Sequence, residues 1–165
     1  MARRARRNFA LVCAAAALLA ASACAPPVDL GKNLQVVDAS TGWADAGLTE
    51  DGQNKLVPFV RFKLKNNADR SLPVLQVNAM FLKLDENKEW GSRFQAVTGS
   101  EGLSPGETSK EITLRSDHGL TGTDPRADIM KSSHFVEARV QLAAKYGSIQ
   151  WVKMAEYPVK HALVE

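Results

Sequence analysis

Cysteine is almost missing from this chain. There are two, Cys13 and Cys24, too few for the disulfide framework of a small secreted fold. Long hydrophobic runs are missing as well. The longest apolar stretch, residues 9–21 (FALVCAAAALLAA), falls short of the ~20 residues that a permanent membrane-spanning helix needs. Acidic residues are absent ahead of Cys24, where Arg3, Arg4, Arg6 and Arg7 supply all the charge. The net charge of +3 therefore belongs to the leader. Beyond it the balance tips to a single negative charge, and a nearly neutral surface gives no electrostatic case for binding nucleic acid. Gly and Pro are not in excess, at 11 and 7 residues, and 45% of the chain is hydrophobic, so disorder is not the default.

What is present begins with an export segment. Residues 1–23 have a cationic start, a short apolar run and the small residues Ala21-Ser22-Ala23 that a signal peptidase requires. Cys13 leaves with that segment. Cys24 is then the single cysteine of the exported chain, and a lone cysteine there needs a role. The four residues Ala21-Ser22-Ala23-Cys24 resemble the lipobox of bacterial lipoproteins, in which Leu, Ala or Ser, Gly or Ala, and Cys follow in that order. Ser22, Ala23 and Cys24 match; Ala21 stands where Leu is usual.

The resemblance implies cleavage between Ala23 and Cys24, a diacylglycerol on the Cys24 thiol, and acylation of the new amino group by a palmitate-type chain. Two or three chains anchor a protein stably where one holds it only marginally. It also implies a place in the cell envelope. By the family's sorting rule Ala25, in place of Asp, implies the periplasmic face of the outer membrane in a cell with two membranes. A plain secretory signal ending in A-x-A is the other reading of the same residues. Arg6-Arg7-Asn8-Phe9-Ala10-Leu11 is similar to a twin-arginine signal, although arginines in a leader also serve simply as its positive charge.

Residues 24–33 contain Pro26, Pro27 and Gly31 and read as a lipidated tether, followed by one domain over 34–165. Leu56, Val60, Phe62 and Leu64 alternate with Phe59, Arg61, Lys63 and Lys65, the period-two pattern of a strand with one buried face. Pro58 within this run marks an edge, a bulge or the strand's start. Residues 72–84 are apolar on both faces, which suits a central strand. Further strands are expected from Leu34, over Trp90–Val97, at Ile112–Leu114, and in two closing runs that hold Ala138–Leu142 and Ile149–Ala155. Residues 44–54 and 116–128 read as long polar loops, the second with room for one helical turn at Pro125–Met130. Residues 160–165 read as a tail. The expectation is all-β: a seven-stranded antiparallel sandwich. Residues 57–66 (VPFVRFKLKN), 72–84 and 103–107 with the strand after them resemble the small Ig-like domains of bacterial envelope lipoproteins, the FxLYD type among them. Met80-Phe81-Leu82-Lys83-Leu84-Asp85 stands nearest to the motif of that name.

Residues that carry chemistry are sparse. Asp117, His118, Asp124 and Asp128 share one loop, yet they lack the tight alternation of a calcium loop, and Asp and Gly are ordinary turn residues. No metal or cofactor is expected. His118, His134 and His161 are too far apart in sequence to define a site. Of the three tryptophans, Trp90 has the most polar neighbours and is the one expected at the surface; Trp90, Asp117 and His118 form the candidate recognition surface. The expected function is a non-catalytic binding or assembly-support module, anchored to the membrane through Cys24 and facing an envelope protein partner. An envelope hydrolase using loop 116–128 would need His118 within hydrogen-bond reach of a carboxylate in a cleft. A small-ligand carrier would need a hollow between the sheets.

Overall fold

The computed structural model describes residues 26–86 and 88–164. The expected export segment, with its expected cleavage and lipidation site at Ala23 and Cys24, lies outside them. The elements in chain order are a helical turn α1 (Leu30–Asn33) and the strands β1 (Leu34–Leu48), β2 (Asn54–Asn66), β3 (Gln76–Lys83), β4 (Glu89–Ala96), β5 (Ile112–Arg115) and β6 (Leu120–Gly122). The short helix α2 (Arg126–Lys131), β7 (Ala138–Lys145), β8 (Val152–Pro158) and β9 (Leu163–Val164) complete them.

Two sheets pack as a sandwich. One has the order β5-β2-β1-β9, with β6 also on β2, and the other β4-β3-β7-β8. With β1, β2 and β5 on one side and β4, β3, β7 and β8 on the other, the two sheets enclose one core. All seven expected strands are present. Two short ones add to them: β6 inside loop 116–128, and β9, which pairs in parallel with β1 at Trp43 and Ala44 and so turns the expected tail into part of the sheet.

Alternation sets what is buried. Leu56, Val60, Phe62 and Leu64 of β2 face Val77, Ala79 and Phe81 of β3 and Ala138, Val140, Leu142 and Ala144 of β7, all in one core cluster. Trp43 is fully buried among them. The space where a carrier would need its hollow is filled by these side chains. Burial of each large apolar group contributes about 1.5–3 kcal/mol, which lets a chain without a core disulfide hold two sheets together.

β1 is longer than its sequence suggests. It continues through Ala44–Leu48, so the expected loop 44–54 shrinks to the turn at residues 49–53. Register shifts fall between Val37 and Ser40 and between Asp45 and Leu48. At the second, Gly47 takes φ +83° and its amide donates to Asp45 Oδ1 at 2.8 Å. The bulge absorbs the extra residue and the pairing resumes.

Pro58 sits in the middle of β2, opposite Trp43. Its carbonyl accepts from the Ser116 amide at 3.0 Å, so the proline nitrogen also points toward β5 and β6, because both groups of a strand residue face one side. There the edge strand breaks: β5 pairs up to Phe59↔Arg115 and β6 resumes at Leu56↔Leu120. The missing amide thus faces an irregular segment, residues 116–119, and no ladder bond is lost. A Cβ on Gly119 would lie 1.9 Å from the Leu56 carbonyl oxygen, so only glycine fits where this segment crosses β2.

The expected tether is largely domain. Leu30 is buried at 1% exposure, the Val28 amide donates to the Tyr146 hydroxyl, and the Asn67 amide donates to the Asn33 carbonyl. Pro26 and Pro27 precede this docked turn without preventing it. The chain therefore enters at one end of the sandwich, the near end, together with residues 67–75, 97–111 and 146–151. The far end holds residues 49–53, 116–137 and 159–162.

Candidate functional site

The three candidate residues meet at the far end. Glu89, Trp90, Gly91, Ser92, Asp117 and His118 line an open hollow of about 390 Å³. Gly91 makes this possible, since a Cβ there would lie 2.5 Å from Ser116 Oγ and 3.5 Å from the His118 ring. Without a side chain at that position, segment 116–118 lies directly on β4 and closes this edge of the sandwich.

Trp90 is not the exposed tryptophan. It is half-buried against the core, and its ring meets Trp43 edge-on with centroids 5.6 Å apart. Phe135 meets Trp43 from another direction at 5.0 Å and stacks on His161 at 4.0 Å. His161 Nε2 lies in hydrogen-bond contact with the Met130 carbonyl. Edge-on aromatic contacts of this kind add about 0.5–1.5 kcal/mol beyond area burial. The exposed tryptophan is Trp151, at 41%.

Asp117 and His118 are both exposed. The Asp117 carboxylate pairs with Arg93 Nη1 at 3.3 Å, and its backbone carbonyl accepts from Lys55 Nζ at 2.8 Å. His118 donates its backbone amide to Ser116 Oγ at 3.1 Å. Among the described residues no hydrogen bond joins its ring to a carboxylate, so the base–acid pair that the hydrolase reading needs is not assembled. Asp124 and Asp128 stand apart from these two: among the described residues no group of three or more His, Cys, Asp or Glu side chains comes together.

Sequence reasoning missed the cations beside this hollow. Lys55, Arg93, Gln95, Thr113, Arg115 and Asp117 line an adjoining one of about 370 Å³. Three positive charges there face one carboxylate, although beyond residue 24 the chain is nearly neutral. The residues come from β2, β4, β5 and the segment after β5, a convergence that no local spacing announces. Such a set can receive an anionic group through charge-assisted hydrogen bonds.

Sequence reasoning expects no G-x-S-x-G elbow around Ser104 or Ser116, yet the spacing is there. Gly102-Leu103-Ser104-Pro105-Gly106 has the G-x-S-x-G spacing of the nucleophile elbow of hydrolases, which requires a strand-to-helix turn. Here no helix follows. Ser104 is exposed, its amide donates to Glu107 Oε2 at 2.8 Å, and it lies at the near end, while all three histidines lie at the far end. The match is a turn.

No family model matches the chain, and no curated protein does. Two solved structures are similar. One is a target of the Northeast Structural Genomics Consortium, 10% identical, with a TM-score of 0.45, covering 79% of this chain and 88% of that one. The other is a Bordetella pertussis protein provisionally named ApaA, 17% identical, with a TM-score of 0.41, covering 77% of this chain and 92% of that one. Likenesses at this level carry no weight for fold or function.

Proposed function

We propose that the protein is a lipid-anchored lipoprotein of the bacterial envelope, a non-catalytic sandwich that binds or supports a protein partner with its far end. The observation that carries the reading is directional. Cys24 precedes by four residues the first backbone amide held to the sandwich, that of Val28, at the near end. The Trp90–Asp117–His118 hollow and its cationic neighbour lie toward the opposite end. An anchor at Cys24 therefore leaves that surface facing away from the lipid. The lone cysteine of the exported chain, placed directly after Ala21-Ser22-Ala23, supports the anchor itself. In a cell with two membranes Ala25 favours the outer one, on its periplasmic face. Metabolic labelling with a palmitate analogue tests the reading. The wild-type chain takes up label and Cys24→Ala does not; an unlabelled wild-type chain overturns it.

A further inference from the structure

We propose that the outer face of the β4-β3-β7-β8 sheet at the near end, built on Phe94 and Trp151, rests on the lipid surface that holds Cys24. The proposal rests on the lipid-anchor reading and adds which face of the sandwich meets the membrane.

Reach comes first. Three residues separate Cys24 from Val28, a span of at most ~14 Å over the four steps. Val28 is fixed to Tyr146, and the Pro26 carbonyl accepts from Arg70 Nη1 at 3.4 Å. An acylated Cys24 thus holds the near end within a side chain or two of the headgroups. Gly31 lies against Val152, the residue next to Trp151, so the entering chain and Trp151 share one corner of the domain.

Two exposed aromatic rings come together at that corner. Phe94 is 54% and Trp151 41% exposed, and their rings meet edge-on with centroids 6.2 Å apart. Lys145 Nζ lies 5.1 Å from the Trp151 ring centre. Register puts Phe94 opposite Asn78 and Lys145 opposite Gln76, on the outward face. Toward the far end the same face turns ionic, with Arg139 and Gln141 gathered on Glu156 and Lys153 reaching it from the level of Phe94. The aromatic half is the half beside the entering chain.

Val74 gives a second, independent observation. It precedes β3 at the near end, is 40% exposed, and holds φ +51°, a conformation that a β-branched residue adopts only under strain. An apolar side chain is thus exposed at this end. Tryptophan and phenylalanine flanked by lysine are the composition of a membrane–water interface, where the ring sits at headgroup depth and the ammonium stays wet.

The test uses the full-length acylated protein in vesicles of phosphatidylethanolamine and phosphatidylglycerol that carry a spin-labelled phosphatidylcholine, with the label near the glycerol. The expected result is a blue shift and quenching of tryptophan emission relative to detergent. Trp151→Phe loses the effect and Phe94→Ser weakens it, with melting temperatures unchanged. A mass spectrum of the same sample reads the state of Cys24. Acylated protein in which wild type and Trp151→Phe respond alike overturns this proposal alone. A free Cys24 thiol overturns the anchor reading and this proposal with it.

Discussion

The Val28 amide donates to the hydroxyl of Tyr146, 118 positions later in the chain. That bond ties the entering segment to the β7–β8 hairpin and makes residues 28–33 part of the sandwich. The proposed anchor at Cys24 lies only four positions before this bond.

A docked segment and a free tether respond differently to mutation. Leu30→Ala empties a buried site and is expected to cost about 2–4 kcal/mol. Tyr146→Phe frees the Val28 amide and costs about 1 kcal/mol. Urea denaturation measures both. Changes near zero in both variants would return residues 28–33 to the status of spacer.

The break in the edge strand predicts an intolerant glycine. Gly119→Ala forces a Cβ against the Leu56 carbonyl, and the segment opposite Pro58 must move. The expected loss is about 2 kcal/mol or more, read from thermal denaturation. Val74→Gly is expected to do the reverse, raising stability by about 1 kcal/mol as the strained φ is released.

Acid sensitivity follows from carboxylates held ionised, Glu156 and Asp45 among them. The Lys153 ammonium, at 2.6 Å, and then Arg139 hold Glu156 below its ordinary value of 4.5. The Gly47 amide and then Arg126 hold Asp45 below its ordinary value of 3.8. A group with a lowered folded-state pKa contributes fully above its unfolded value, and the contribution is lost as pH falls through the folded one. The melting temperature is therefore expected to hold from neutrality to about pH 5 and to fall below it. In Glu156→Gln the fall is shallower and the neutral-pH value lower. An equally steep fall in that variant would contradict the assignment.

The tryptophans separate core from surface. Trp90→Ala removes a ring packed on Trp43 and is expected to cost about 2–3 kcal/mol. Trp151→Ala changes stability by no more than about 0.5 kcal/mol. At the hollow, Arg93→Ala breaks an exposed pair with Asp117 and also stays within about 0.5 kcal/mol. Chemical denaturation of the three variants ranks them, and a Trp151 cost equal to that of Trp90 would contradict this division.

Alternation made β2 legible, because Leu56, Val60, Phe62 and Leu64 all face one core. Apolar residues on both its faces marked β3 as central, and it lies between β4 and β7. The helical turn at Pro125–Met130 was legible too, as α2. The continuation of β1 was not: Ala44-Asp45-Ala46-Gly47 is short of apolar bulk, and only the bulge at Gly47 carries the ladder through. Two prolines and Gly31 hid the docked turn at Leu30. Trp90 has polar neighbours in sequence, yet its contact is Trp43 on the other sheet. Likewise Lys55, Arg93 and Arg115 come together only once the strand order is known.

The most direct measurement on the account as a whole is the intact mass of the mature protein extracted from membranes. The predicted chain begins at Cys24 and carries a diacylglycerol on sulfur, with or without an acyl group on its amine. A chain that begins at Cys24 with a free thiol, or that retains residues 1–23, would contradict it.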